Sequence, residues 1–164
     1  MKKQEVAKIA INKVKEILEK LKIPAEITAS AIENNTKIYI NIDIQGEDLG
    51  LLIGYRGIVL NSLEQVVLMM LVKELKSKED SLDKSIKIII DINNYRKRKE
   101  ETIKETALKA IEQAIESKQE VELPVMSPAE RRIVHLTVQN EERGIVTYSK
   151  GEEGERRVVI KPEN

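Results

Sequence analysis

Isoleucine recurs at every second position in two stretches of this chain, Ile38-Ile40-Ile42-Ile44 and Ile86-Ile88-Ile90-Ile92, and no other feature restricts its folding as much. Successive side chains of a strand point to opposite faces, so each stretch predicts a strand with one β-branched face that must be covered. Ile27, Ala29 and Ala31 alternate in the same way, and Glu33-Asn34-Asn35-Thr36 is the turn that joins them to the first isoleucine run as a half-buried hairpin. Helical spacing surrounds these strands. Residues 4 to 21 place Val6, Ala10, Ile17 and Leu21 on one side of an amphipathic helix that ends before Pro24. Glu47 to Ile53 predicts a short helix, and Ile58 to Leu75 a longer one carrying Leu60, Leu63, Val67, Met70 and Leu71. A polar connection from Lys76 to Lys84 then leads into the second isoleucine run.

This order, α-β-β-α-α-β, closes at Asp91-Ile92-Asn93-Asn94, where an Asn can cap the next helix, and the domain boundary is placed there. Residues 1–92 form one unit and 93–164 a second. The second opens with a helix from about Tyr95 to Ser117, its inner face built from Ile103, Ala107, Ala110, Ile111, Ala114 and Ile115. A short strand follows at Val121-Glu122-Leu123. Ser127-Pro128-Ala129-Glu130 then combines an N-cap Ser, a Pro at the first helical position and a Glu at the third, which is a reciprocal capping box. Residues 144 to 149 and 156 to 160, separated by Gly151 and Gly154, predict a terminal hairpin. The fold class is α+β, with two small α/β domains, the second ordered α-β-α-β-β.

Composition removes several chemistries. The chain has no Cys and one His among 164 residues, which leaves disulfides, thiol catalysis and the common Cys/His zinc sites without ligands. The longest apolar run, around Val66 to Val72, falls far short of the roughly 20 residues that span a bilayer, and no signal-peptide core follows the basic start. A soluble, cytoplasmic protein without membrane insertion is expected. Twenty-eight basic residues balance 28 acidic ones, so any polyanion must be gripped by local patches. One such patch is the opening helix, with seven Lys against three Glu in residues 1 to 23; another is Arg96-Lys97-Arg98-Lys99. Either is equally explained as the solvated side of a helix.

Two short constellations carry the functional argument. Gly54-Tyr55-Arg56-Gly57 joins two apolar helical segments, and its glycines allow positive φ and close approach of the backbone to a sugar-phosphate strand while Arg56 meets a phosphate. The spacing fits neither a Rossmann turn nor a P-loop, and an ordinary helix-helix turn also fits it. An aliphatic groove floored by Leu52, Ile53 and Leu60 would hold unpaired bases beside it. On the second unit's capped helix, Arg131 and His135 share a face, with Arg132 beside them and Gln139 one turn on. A guanidinium fork suits phosphate and an imidazole can donate or stack, although pairing of Arg131 with a nearby Glu and of His135 with the core explains them equally. No nucleophile-base pair or carboxylate-rich metal motif is visible, so no enzyme, cofactor or metal is expected. Four Tyr without Phe or Trp argue against an aromatic stacking platform.

The α-β-β-α-α-β order with Ile53-Gly54-Tyr55-Arg56-Gly57 at the helix junction resembles a type II KH domain, and Arg131-x-x-x-His135 on a capped helix resembles the R-three-H domain. Their succession, together with Gly50 to Gly54, Asp91 to Arg98, Glu130 to His135 and Arg156 to Ile160, resembles the bacterial Jag (KhpB, EloR, SpoIIIJ-associated) family over nearly the whole chain. The resemblance implies a cytoplasmic, non-enzymatic protein that binds single-stranded RNA, with single-stranded DNA as an alternative ligand. It also implies post-transcriptional regulation, a link to cell elongation and division, and a second small KH-domain protein as partner. Carried over by position, Gly54, Tyr55, Arg56 and Gly57 form the clamp, Arg131 and His135 a second contact surface, and Arg132 a weaker contact. Many members begin with a further N-terminal domain and linker that these residues lack, so membrane-linked or cell-wall roles tied to that segment are not expected here. Leu123 to Ala129 lacks the aromatic that often precedes the position of Glu130, which implies weaker sequence readout there. The competing reading is a protein-protein adaptor that docks a partner on the KH-like surface.

Overall fold

The computed structural model describes residues 3–77 and 85–163, and these divide into two compact units, the first ending at Tyr95 and the second beginning at Arg96. Of the predicted polar connection, residues 78–84 lie outside the described residues.

In the first unit, α1 (Lys3–Leu21), β1 (Glu26–Glu33), β2 (Lys37–Gln45), α2 (Gly50–Ile53), α3 (Ile58–Ser77) and β3 (Ser85–Ile92) follow in order, with a single 3₁₀ turn over Tyr55–Gly57 between α2 and α3. The sheet order is β1-β2-β3, with β1 antiparallel and β3 parallel to the central β2. A parallel partner needs a crossover, and the α2-turn-α3 segment is that crossover. Ile38, Ile40, Ile42 and Ile44 are buried with Ile88, Ile90 and Ile92 against Val6, Ala10, Val14 and Leu18 of α1 and Leu60, Val67 and Leu71 of α3. One face of the sheet therefore carries the helices, while Tyr39 and Asn41 on the other are half-buried and Asp43 is exposed. Asn34 builds the hairpin turn, its side-chain oxygen accepting from the N–H groups of Thr36 and Lys37.

Several sequence expectations are corrected. Leu21 is exposed and Val14 and Leu18 are buried instead, because α1 ends in a Schellman closure at Leu21: Ile23 N–H bonds Leu18 O, Lys22 N–H bonds Glu19 O, and Lys22 takes φ 57°. The helix predicted from Glu47 is confined to Gly50–Ile53, since Asp48 at φ 53° interrupts it. The Asn93 amide, for which no tertiary role was expected, accepts from Gly46 N–H at 3.2 Å and donates to Gly46 O at 2.8 Å, tying the end of β3 to the loop before α2.

The second unit contains α4 (Tyr95–Ser117, from Arg96 on), β4 (Val121–Val125), α5 (Pro128–Glu141), β5 (Ile145–Lys150) and β6 (Arg157–Pro162). Its sheet is ordered β4-β6-β5, with β6 antiparallel to both neighbours. Ile103, Ala107, Ala110, Ile111 and Ala114 of α4 form one core with Leu123, Val134, Val138, Val158 and Ile160, whereas Ile115, expected inside, is exposed. β4 runs two residues beyond its predicted end and shifts register between Glu122 and Val125; Pro124 lies in that interval on an edge strand, where a missing N–H costs least. The capping box forms: Ser127 N–H donates to Glu130 Oε2 at 2.6 Å and Glu130 N–H to Ser127 Oγ at 3.4 Å. Among the described residues no helix is long and apolar enough to cross a membrane.

Candidate nucleic-acid interface

Three of the four residues in the glycine turn have left-handed backbone. Gly54 has φ 67° and ψ −175°, Arg56 has φ 53° and ψ 21°, and Gly57 has φ 88°. The Gly54 conformation is essentially confined to glycine, and a Cβ there would collide with Val59 Cγ2 and lie 2.8 Å from Val59 Cβ. For Arg56 the same sign of φ costs about 1–2 kcal/mol, which the flanking glycines and the turn's own bonds must offset. Those bonds run from Gly54 N–H to Gly50 O at 2.9 Å and from Gly57 N–H to Gly54 O at 3.3 Å. Ile58 N–H closes on Tyr55 O. Gly57 and Ile58 thus spend their N–H groups within the turn.

Arg56 Cζ stands 5.3 Å from the centroid of the Tyr55 ring, a cation-π stack at the tip of the turn. Tyr55 is 73% exposed, and Leu51 at 80% and Ile58 at 61% flank it, with Val59 partly exposed. These residues form the apolar surface beside the turn. Leu52 and Leu60, expected to floor a groove, are 4% and 1% exposed and belong to the core. The misassignment is physical: residues 58 to 75 are apolar on more sides than one core stripe needs, and the surplus at Ile58, Val59, Val66 and Met69 was the available signal. Sequence reasoning also missed Tyr95, whose ring packs on the first core and would meet a Cβ on Gly57 at 3.2 Å.

In the second unit Arg131 and His135 are brought together, half-buried, but each is already engaged. Arg131 Nη1 donates to Met126 O at 2.8 Å, holding α5 against the end of β4. His135 Nδ1 lies 2.7 Å from Thr147 Oγ1 and Nε2 lies 3.1 Å from Ser149 Oγ, so the ring spans two hydroxyls on the same face of β5. Arg132 and Gln139 are exposed. Thr147 and Ser149 were not singled out from sequence, although their alternation with Val146, Tyr148 and Lys150 places them on the helix-facing side. Lys99 Nζ bonds Glu130 Oε1 at 2.9 Å. Burial alone would raise the Glu130 carboxyl, but the Lys99 and Ser127 hydrogen bonds outweigh it and hold the group below its ordinary value.

Burial and then the Arg131 charge push the His135 imidazole below its ordinary value of 6.5. The unfolded chain therefore takes up this proton more readily than the folded one. The His135 contribution to stability is expected to be complete above pH 6.5 and to fade as pH falls through the lower native value. Proton NMR of this single imidazole checks the shift, and a midpoint at or above 6.5 would contradict it.

Residues 11–93 match the family described as KhpA/KhpB, KH domain, and residues 101–162 match the R-three-H domain. The first match by itself covers half of the 164-residue chain. The chain belongs to the KhpB family. Among KhpB relatives, the protein named RNA-binding protein KhpB from Clostridium symbiosum is 33% identical over 159 residues, which is 97% of this chain and 67% of the relative. The protein of the same name from Bacillus subtilis (strain 168) is 32% identical over 126 residues, covering 76% of this chain and 57% of its own. A third, from Streptococcus pneumoniae serotype 2 (strain D39), is 25% identical over 138 residues, 84% of this chain and 40% of that KhpB. The chain thus spans between 40% and 67% of the length of these KhpB relatives.

Proposed function

We propose that this chain binds single-stranded RNA, with the Gly54-Tyr55-Arg56-Gly57 turn as its main clamp, and acts as a non-enzymatic post-transcriptional regulator in the cytoplasm. The observation that carries the proposal is the turn itself. Gly54 leaves no room for a side chain, and beside it Tyr55 and Arg56 project at the tip next to the exposed Leu51 and Ile58. Backbone, cation and apolar surface lie within a few residues, which is the combination an unpaired strand requires. The name RNA-binding protein, carried by all three relatives, supports the same reading. In the second unit, Arg131 and His135 shape the contact surface by fixing α5 to Met126 and to β5, and exposed Arg132 meets the phosphates. A small KH-domain protein as partner and a link to cell elongation and division are further parts of the proposal.

Fluorescence titration with short single-stranded RNA tests the clamp. Arg56→Asp is expected to weaken binding and to flatten the slope of log affinity against log salt by about 0.7, the value of one phosphate contact on a single strand. Unchanged affinity and slope would remove the turn from the mechanism. The exposed Leu51, Tyr55 and Ile58 also fit a protein partner. A complex that survives nuclease treatment, formed by a chain with no RNA affinity at low salt, would favour the adaptor instead. RNA turnover dependent on Mg²⁺ or Mn²⁺ would overturn the non-enzymatic reading.

A further inference from the structure

Side chains of β6 alternate between two faces: Val158 and Ile160 enter the core of the second unit, so Val159 points the other way. Yet Val159 is 0% exposed. Its paired neighbours on that outer face are Tyr148 of β5 and Glu122 of β4, and the Tyr148 hydroxyl donates to Glu120 Oε2 at 3.1 Å. Because β6 lies between β5 and β4, a bond from Tyr148 to Glu120 has to pass over β6, and that path lays the ring across Val159. One side of the ring is spent on the sheet. The other accounts for the 42% of Tyr148 that remains exposed.

Cations stand on both sides of this ring along the strands. The register sets Lys161 beside Val146 one row before Tyr148, and Lys150 beside Arg157 one row after it, each row about 7 Å away. Glu122 bonds Lys150 Nζ at 2.8 Å and lies 3.6 Å from Arg157 Nη1, so one carboxylate stands against two cations. Lys161 is exposed at the other end. Glu120, the second carboxylate of this face, accepts the Tyr148 hydroxyl; that bond, followed by burial, holds the phenol above its ordinary value, and the ring stays uncharged near neutral pH.

We infer that Tyr148 is a stacking platform for one unpaired base of a single-stranded nucleic acid, with Lys161 and the Lys150-Arg157 pair meeting the phosphates on either side; the inference rests on the RNA-binding reading and extends it to a second site. Every base has a π face, so the platform accepts bases without choosing among them, and a ring already held by Glu120 and Val159 loses little freedom on binding. The setting favours a nucleotide over an apolar partner, because among the described residues Val146 is the only exposed aliphatic side chain of these three strands, while cations flank the ring. Sparse aromatics argue against an extended platform, but one pinned ring serves one base.

The test titrates the full chain and its variants with a single-stranded RNA dodecanucleotide and with versions of it that lack one base at a time. Tyr148→Leu is expected to weaken binding roughly tenfold without changing the slope of log affinity against log salt, since the ring carries no charge. Tyr148→Phe keeps the ring and should stay within about threefold of the wild type. Lys161→Ala should flatten the salt slope by about 0.7. Removing the stacked base should weaken the wild type roughly tenfold and leave Tyr148→Leu unaffected. Thermal unfolding verifies each fold, and NMR of the wild type decides even where a variant misfolds: the Tyr148 ring protons should move upfield in the saturated complex. Arg56-dependent binding with unmoved Tyr148 ring protons, or with full affinity in Tyr148→Leu, overturns the platform and leaves the clamp standing. Absence of RNA binding by the wild type overturns both.

Discussion

Gly54→Ala is expected to destabilise the first unit by about 2–5 kcal/mol, lowering its melting temperature by roughly 10 °C or more, and to abolish the clamp. Two costs add. At φ 67° and ψ −175° the backbone lies where a side chain is strongly disfavoured, and the new Cβ would sit 2.8 Å from Val59 Cβ, a branched side chain on α3 with little freedom to withdraw. The chain would have to flip the turn or shift α3, and either movement dismantles the arrangement of Tyr55 and Arg56. Gly50→Ala is the control, since Gly50 is helical and no atom lies within 4 Å of its added Cβ; it should remain within about 1 kcal/mol of the wild type. Calorimetry of the two variants gives the comparison. Equal stability would mean that the turn is not held in this conformation and that the proposed approach of a strand to bare backbone lacks its basis.

Ile42→Ala is expected to cost about 2–5 kcal/mol in chemical denaturation, among the largest effects of any truncation in the first unit. Ile42 is 1% exposed on the central strand, between Ala29 of β1 and Ile90 of β3, so the lost methyl and methylene groups leave a cavity that neighbours on both sides border. Ile32→Ala removes the same atoms from a residue that is 60% exposed, and should change stability by less than about 0.5 kcal/mol. Similar losses from the two variants would contradict the one-sided burial of this sheet. The pair also separates a fold defect from a binding defect: Ile32→Ala should leave RNA titration unaltered.

The contrast between Ile32 and Ile42 shows how far the linear pattern reaches. Ile42 belongs to a strict alternation and Ile32 falls out of phase with Ile27, Ala29 and Ala31, so both positions were assignable to a face from periodicity alone. The capping box at Ser127 to Glu130 was equally legible, because both of its bonds are local and their donors and acceptors are adjacent in the chain. The glycine turn was legible for the same reason: the demand for positive φ is written in the residue type. Helix ends were less so. Leu21 and Ile115 continue an apolar stripe past the point where the chain turns or the core stops, and no local signal marks that point.

Nearest-neighbour chemistry and a repeating period thus settled the element order and the fold class, and carried the resemblance to a family of known architecture. Tertiary packing alone decided which apolar residues near the turn are core and which are surface, burying Leu52 and Leu60 while leaving Leu51 and Ile58 outside. It alone occupied both nitrogens of His135 with Thr147 and Ser149, paired Asn93 with Gly46, and set Glu64 on the backbone of Ile90. The physical reason is common to all of these. A helix with apolar residues around most of its circumference has no preferred inward side until a sheet is laid against it, and a polar side chain chooses among partners that only the closed chain brings within hydrogen-bond distance.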